Sequence, residues 1–155
     1  MITLVLQYIY KGGEKKVAVI RFTIPGEPVA KQRPRVYKTS SGKSVAVTPT
    51  KTVNYENLVK WVLTNSSNTK MLEGEIEASI KAMFSIPKSM SKKDRQLVNE
   101  GKLRPTKKPD VDNVAKIILD SINGLAYKDD SQVTKLTVEK EYSENPRVEV
   151  VLLER

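Results

Sequence analysis

The chain has 155 residues, with 27 Lys and Arg against 18 Asp and Glu, so its formal net charge is +9. This length fits one domain with a single core, and 39% apolar with 29% charged residues excludes a disordered or membrane-embedded chain. Cysteine is absent, which excludes disulfides and thiolate metal sites and suits the reducing cytoplasm. Histidine is absent too, so any chemistry must use carboxylates, lysine or arginine, hydroxyls or a hard metal ion.

Two segments carry the excess positive charge. Residues 30–51 hold six basic residues and no acid, and residues 88–109 hold eight basic residues against two acids. Such segments are typical either of a surface that binds a polyanion or of solvated loops that keep the protein soluble. No run reaches the ~18 apolar residues of a membrane-spanning helix, and residues 1–10 lack the basic leader and cleavage site of a signal peptide.

Strand and turn signals dominate the first part of the chain. They predict, in order, a strand at residues 2–10, a Gly-Gly turn at 11–14, a strand at 17–24, an extended proline-containing segment at 25–34 and an exposed hairpin around 40–43. A helix follows Pro49, because apolar residues then recur at helical spacing until the polar run at 65–68. Trp61 lies on this helix and is expected to pack against the core.

The second part of the chain alternates between strand and helix signals. They predict, in order, a half-buried strand at 75–86, a short basic helix at 92–100, a helix at 111–123, a turn at 128–130 and a final antiparallel pair of strands at 132–142 and 147–153. Ser91 and Asp94 form a capping box for the basic helix, and Gly101 is placed to end it. The fold class is therefore α+β: a single domain, residues 1–155, with a mixed or antiparallel sheet, two main helices and one short basic helix.

The helix at 111–123 separates apolar from charged residues. At about 100° per residue, one face is expected to be buried, with Ile117 at its edge, and it holds Val111, Val114, Ile118 and Ile122. The opposite face holds Asp112, Lys116, Asp120 and Asn123, and Asp110 falls at the N-cap. Acids at a helix start can simply satisfy free backbone N–H groups, and an Asp and a Lys four residues apart can form a solvated ion pair.

A second acidic cluster, Asp129 and Asp130, lies six residues beyond Asn123. Asp is common in turns, so a structural role is one explanation. Several carboxylates in a basic protein also favour a site for a hard cation, Mg²⁺ or Mn²⁺. Such an ion polarises phosphoryl oxygens and activates water, and Lys116, one turn after Asp112, is placed to offset charge in the transition state.

Three runs together resemble the RusA-type Holliday junction resolvases. The first is Lys-Pro-Asp-Val-Asp-Asn at 108–113, followed by Lys116, Asp120 and Asn123-Gly124. The second is Tyr-Lys-Asp-Asp-Ser-Gln-Val at 127–133. The third, Ile-Pro-Gly-Glu-Pro at 24–28 with Lys-Gln-Arg-Pro-Arg at 31–35, is similar to the N-terminal motif of the branch found in Gram-positive bacteria and their phages. The resemblance spans roughly residues 21–153.

The resemblance implies a homodimeric endonuclease that acts on four-way DNA junctions with Mg²⁺ or Mn²⁺ and no organic cofactor. Asp110, Asp112 and Asp130 would then be the metal-binding carboxylates and Lys116 the catalytic lysine. The motif leaves open whether Asp129 and Asp120 take part. Residues 1–16 form an extra leading hairpin segment whose role is open.

With DNA as the substrate, the basic segments become candidate phosphate contacts, which position DNA without reading its sequence. The first segment supplies Lys31, Arg33 and Arg35; the second supplies Lys92, Lys93, Arg95, Lys102, Arg104, Lys107 and Lys108. Packing of the first loop is the structural alternative. Tyr127 either stacks on a base or closes the core beside the acidic turn, and the core is favoured.

Two other functions remain open on the sequence. One is a non-catalytic nucleic-acid-binding module whose acids only cap a helix; it would bind DNA equally with EDTA or Mg²⁺. The other is a Mg²⁺-dependent hydrolase of a small phosphorylated substrate, which leaves the two basic segments unexplained.

Overall fold

The computed structural model describes residues 7–9, 17–65 and 71–155, and the fold is α+β as the sequence predicts. In chain order the elements are β1 (Gln7–Ile9), β2 (Val17–Pro25), β3 (Arg35–Lys38), β4 (Ser44–Val47), α1 (Thr50–Asn65), β5 (Ile76–Ser85), α2 (Lys92–Asn99), α3 (Val111–Ile122), β6 (Val133–Ser143) and β7 (Arg147–Glu154). A single 3₁₀ turn, Asp130–Gln132, precedes β6. In the described part of the chain no helix is long and apolar enough to cross a bilayer.

The main sheet has the order β1-β2-β7-β5-β6, and β5 and β6 are its parallel pair. The predicted antiparallel pairing of the last two strands is wrong, because β5 lies between them and pairs with both. Burial explains the order. Ile76, Ile80 and Phe84 of β5 face the core, whereas β6 has exposed positions over most of its first half and is better placed at an edge.

The core lies between one face of this sheet and the helices α1 and α3. Ile20 and Phe22 of β2 belong to the same buried cluster as Val59 of α1 and Ile118 of α3. Burial of these side chains supplies most of the driving force for folding. The predicted apolar face of α3 is confirmed at Val114, Ile118 and Ile122, and Ile117 is fully buried as well.

Two apolar residues predicted to be buried are exposed. Val111 is 44% exposed, because the first turn of α3 faces an open groove beside the edge strand β6 rather than the core. Trp61, for which the sequence predicts packing, is 53% exposed on α1. Helical spacing places it beside Leu58, but the buried stripe of α1 runs through Tyr55, Val59 and Val62.

The predicted N-cap at Ser91 and the glycine that ends α2 are confirmed, but only half of the predicted capping box forms, because the Asp94 carboxylate binds the Ser91 hydroxyl and not its backbone N–H. Ser91 Oγ accepts from the backbone N–H of Asp94 at 3.1 Å, and the Ser91 hydroxyl also donates to the Asp94 carboxylate at 2.9 Å. Gly101 has a φ of 69°, which permits a Schellman closure in which the Lys102 N–H reaches the carbonyl of Leu97 at 2.8 Å. Local signals therefore define this basic helix.

Both predicted hairpins involve described residues. β1 pairs antiparallel with β2, but the predicted turn at 11–14 and residues 1–6 lie outside the described residues. The second hairpin is confirmed: β3 pairs with β4, and Gly42 takes a φ of 79° in the turn between them.

Candidate active site

The start of α3 presents two acids. Asp110 occupies the N-cap with extended backbone angles, yet its carboxylate makes no capping hydrogen bond. Asp112 lies in the first turn and is exposed, and its Oδ1 accepts from Nδ2 of Asn113 at 3.3 Å. The explanation that Asp110 serves to cap the helix is therefore not realised, and this carboxylate remains available to a ligand.

The second acidic cluster divides into two roles. Asp129 Oδ1 accepts from the backbone N–H of Ser131 at 2.9 Å. Hydrogen bonds from the side chain and the backbone of Ser131 hold the pKa of Asp129 below its usual value. Asp129 is thus the cap of the 3₁₀ turn. Asp130 caps no backbone N–H among the described residues; its side chain interacts with that of Asp129 and lines the groove beside α3.

Gln132 anchors this turn, a role that the sequence did not reveal. Its Oε1 accepts from the N–H groups of Lys128 and Asp129 at 2.9 and 3.1 Å. Its Nε2 donates to the carbonyls of Leu72 and Gly74 at 3.3 and 3.0 Å. Four hydrogen bonds from one amide therefore hold the backbone that carries Asp130 against the segment that precedes β5.

A groove of about 600 Å³ between α3 and β6 brings four of the predicted polar residues together. Five apolar and four charged residues line it: Val111, Ala115, Leu119, Leu136 and Val138 are apolar, and Asp112, Lys116, Asp120 and Asp130 are charged. Lys116 is exposed and has no ion pair or side-chain hydrogen bond within the described ranges. The alternative of a surface ion pair between Asp112 and Lys116 is therefore not realised, and the ammonium is free to meet an anion.

Asp110 opens into a neighbouring cleft on the other side of the first turn of α3. That cleft is lined by Ala30, Lys31, Gln32, Lys108, Pro109, Asp110 and Asn113. Across residues 7–9, 17–65 and 71–155, no three acidic side chains are close enough to hold one ion as they stand. The oxygen donors at this helix start fit the ligand preference of a hard divalent ion.

Lys31 joins the first basic segment to α3 and α1. Its Nζ pairs with Glu56 and, at 3.1 Å, with Oδ2 of Asp120, and its backbone N–H donates to the carbonyl of Asn113 at 2.9 Å. Partial burial disfavours the ammonium, but the two carboxylates outweigh that effect and raise the pKa of Lys31 above its ordinary value. The ammonium of Lys31 is therefore already paired with two carboxylates, and the carboxylate of Asp120 is already paired with Lys31.

Lys140 supports the segment that leads into Asp110, and sequence reasoning missed it. Its Nζ donates to the carbonyls of Lys107 and Pro109 at 2.7 and 2.9 Å, and it lies 5.8 Å from the centroid of the Phe84 ring. The available signal was a lysine on the helix-facing side of β6, in alternation with Val138 and Tyr142. Only the tertiary structure shows which carbonyls it reaches.

Tyr127 is fully buried, as the favoured interpretation predicted. Its hydroxyl donates to the carbonyl of Leu119 at 2.9 Å. Burial, and then the negative charges of Asp130 and Asp120, raise the pKa of Tyr127 above its ordinary value. The ring therefore packs in the core between α3 and the acidic turn, and none of it is exposed for stacking on a base.

The remaining predicted DNA contacts are on the surface. Arg104 lies 3.9 and 3.8 Å from carboxylate oxygens of Glu139 and Glu141 on the edge strand, and two other basic residues of its segment, Lys102 and Arg95, also have acidic neighbours. Of the predicted DNA contacts, those that are exposed and have no ion pair within the described ranges are Arg33, Arg35, Lys92, Lys93, Lys107 and Lys108. The structure thus leaves a subset of the predicted cations free for phosphates.

Known proteins resemble this chain over most of its length. The family model described as "Endodeoxyribonuclease RusA" matches residues 25–152, which run from the last residue of β2 into β7 and include the groove and the acidic turn. A curated relative, "Uncharacterized protein YqaN" of Bacillus subtilis (strain 168), is 43% identical over 137 residues, covering 87% of this chain and 96% of that protein. The chain belongs to the RusA endodeoxyribonuclease family.

Proposed function

We propose that this protein is a metal-dependent, structure-specific endodeoxyribonuclease that resolves four-way DNA junctions. The observation that carries the proposal is the groove beside α3, where Asp112, Lys116 and Asp130 meet on a protein of net charge +9. Asp110 flanks the groove with an uncapped carboxylate. With a bound divalent ion, carboxylates and a lysine are groups that can hydrolyse a phosphodiester in a protein that has no histidine.

Asp110, Asp112 and Asp130 would hold Mg²⁺ or Mn²⁺, since carboxylate oxygens are the ligands that these hard cations prefer. When bound, the ion would polarise the scissile phosphate and lower the pKa of a water molecule that attacks it. The two elements that carry the acids are held by Lys140 and Gln132. The backbone next to Asp110 and the turn that carries Asp130 are therefore each held by side-chain hydrogen bonds.

Lys116 would stabilise the charge that builds on the phosphoryl oxygens as the bond to the leaving oxygen breaks. Its ammonium has no acidic partner in the described structure, so no ion pair must break before it meets the phosphate. Asp120, by contrast, is held by Lys31 at 3.1 Å. Its role is to position Lys31 rather than to bind the metal.

Exposed cations at Arg33, Arg35 and Lys108 would contact the DNA backbone on the approach to the groove. Phosphate contacts orient DNA without reading its bases, which suits an enzyme that recognises the shape of a junction. Resolution needs two cuts on symmetry-related strands, and the described part of one chain offers one such constellation, so two chains would act as a two-fold symmetric dimer. A DNA substrate implies action in the cytoplasm.

The test is incubation of the purified protein with a labelled four-way junction and a matched linear duplex, each with Mg²⁺, Mn²⁺ or EDTA. The proposal predicts cleavage of the junction with either metal, little cleavage of the duplex and none in EDTA. Equal binding with and without metal and no cleavage would instead indicate a binding module. Cleavage of both DNAs alike would remove the structure specificity.

A further inference from the structure

The hairpin formed by β3 and β4, residues 35–47, stands apart from the body of the protein; we call it the arm. Its strands pair with each other in a separate two-stranded sheet, and all eight strand residues are exposed. An isolated two-stranded hairpin is only marginally stable in water. A ligand that binds the arm would bury these side chains, which the rest of the described chain leaves exposed.

The two faces of the arm differ chemically. The register sets Tyr37 opposite Val45 and Arg35 opposite Val47, and residues two apart on a strand share a face. One face therefore carries Tyr37, Val45 and Val47, which are 52%, 44% and 48% exposed, together with Arg35. The opposite face has one large apolar residue, Val36.

The charge of the arm selects a polyanion as its ligand. The arm holds Arg35, Lys38 and Lys43 and no acid, and the wider segment 30–51 adds three more basic residues and no acid. Of these six, only Lys31 has an acidic partner among the described residues. A second copy of this chain would bring another arm and another +9 body against these cations. DNA supplies the complementary charge.

The base of the arm is fixed beside the candidate active site. The backbone N–H of Lys31 donates to the carbonyl of Asn113 at 2.9 Å, and its ammonium lies 3.1 Å from Oδ2 of Asp120. The cleft that contains Asp110 is lined by Lys31 and Gln32. A DNA strand that reaches Asp110 therefore passes the root of the arm.

We propose that the arm places its apolar face, led by Tyr37, against unstacked bases at the branch of the DNA substrate; this rests on the proposed function. Bases at a branch expose apolar rings that a continuous duplex exposes only after costly unstacking. An aromatic ring that stacks on such a base binds it whatever its identity. The cations of the arm hold the backbone, and Tyr37 with its two valines distinguishes branched from linear DNA.

The experiment uses a four-way junction and a linear duplex, each with 2-aminopurine at the matched position next to the branch. Fluorescence and affinity are measured in EDTA with the full-length wild type, Tyr37→Ser and the opposite-face control Val36→Ser. The wild type should change the fluorescence of the junction and not of the duplex. Tyr37→Ser should abolish that change and weaken junction binding by about 5- to 150-fold, the value of one base–aromatic stack, with duplex binding unchanged. Val36→Ser should match the wild type.

The outcomes separate this inference from the function on which it rests. If wild type cleaves the junction selectively and Tyr37→Ser keeps both its fluorescence response and its affinity, the arm does not contact bases and the inference is overturned alone. If the wild type shows no preference for the junction, the proposed function fails and the inference fails with it. Conversion of a dimer to a monomer by Tyr37→Ser, measured by sedimentation, would make this face a protein interface and overturn the inference.

Discussion

The Lys140 ammonium donates a hydrogen bond of 2.9 Å to the carbonyl of Pro109. Pro109 directly precedes Asp110, the N-cap residue of α3. A second bond from the same Nζ reaches the Lys107 carbonyl at 2.7 Å. Strand β6 thereby braces the loop that carries Asp110, and the acidic turn that carries Asp130 leads into that same strand. One strand thus organises both sources of carboxylates.

Loss of this brace should reduce cleavage more than binding. Lys140→Met keeps the length of the side chain but removes the hydrogen-bond donors, so we expect cleavage to fall about 10- to 100-fold, as for groups that orient metal ligands. The Mg²⁺ concentration for half-maximal rate should rise, while affinity for the junction in EDTA stays within twofold. Lys140→Arg should restore part of the rate.

Lys135→Met is the matched control, because Lys135 lies on the same strand but points to Glu77 at 3.3 Å on the surface. It should leave the rate and the Mg²⁺ dependence unchanged. Equal losses in the Lys135 and Lys140 variants would show that any lysine removed from β6 has the same effect, which contradicts the positioning role.

Substitutions should distinguish the three acids proposed to bind the metal from Asp129, which caps the 3₁₀ turn. Asp110→Asn, Asp112→Asn and Asp130→Asn are each expected to abolish cleavage and keep junction binding, because an amide conserves shape but loses the charge that a hard cation requires. Asp129→Ser is expected to keep cleavage, since serine is also a good helix cap and Asp129 caps the 3₁₀ turn. Gel assays of cleavage and of binding in EDTA measure both properties. Full cleavage by any of the three asparagine variants would exclude that residue from the metal site.

Binding should weaken steeply with salt, because phosphate contacts release counterions. Arg33→Glu or Arg35→Glu should weaken binding to junction and duplex alike and lower the log–log salt slope by about one for each phosphate that is no longer neutralised. Lys31→Met should leave the slope almost unchanged, because Lys31 is already paired with Glu56 and Asp120. Titrations of fluorescent DNA at several NaCl concentrations test this. A slope near zero in the wild type would contradict the polyanion-binding role of the basic segments.

The Lys31 cluster makes a prediction about alkaline stability. Its folded-state pKa is raised by Glu56 and Asp120, so its contribution to folding is complete below the unfolded pKa and is lost as pH rises through the folded one. Burial raises the pKa of Tyr55 and Tyr127 as well, with the same sign. The free energy of unfolding in urea should therefore fall above about pH 10.

Lys31→Met isolates the lysine from the tyrosines. It should cost about 1 kcal/mol at neutral pH, as a partly exposed ion pair does, and should reduce the alkaline decline without abolishing it. A decline of the same size in Lys31→Met and wild type would show that the two buried tyrosines account for all of it.

Local patterns predicted much of this molecule. Ser91, Asp94 and Gly101 mark both ends of α2, and the 100° spacing places Asp112, Lys116 and Asp120 on one face of α3. Pairings between distant residues have no such signature. The insertion of β5 between β6 and β7, the bond from Lys140 to Pro109 and the pair of Lys31 with Asp120 each join segments far apart in the chain, so a single sequence does not reveal them.

The distinction between Asp129 and Asp130 illustrates the same limit. Neighbouring acids in a turn look alike in sequence, and only the hydrogen bond from Ser131 shows that Asp129 is used by the turn itself. The prediction for Val111 is wrong for a related reason: helical spacing places it on the apolar face, but the sheet ends beneath it at β6.

The most direct test is the product formed from a supercoiled plasmid with an extruded cruciform, with Mg²⁺ present. One cut relaxes the plasmid to an open circle, whereas two coordinated cuts within one complex give a linear molecule. We expect mainly linear product from the intact protein, and nicked circles from mixed dimers with one Asp112→Asn chain, since one site still works. A protein that is strictly monomeric by light scattering, or linear product no more frequent than two independent nicks allow, would contradict the assignment as a junction resolvase.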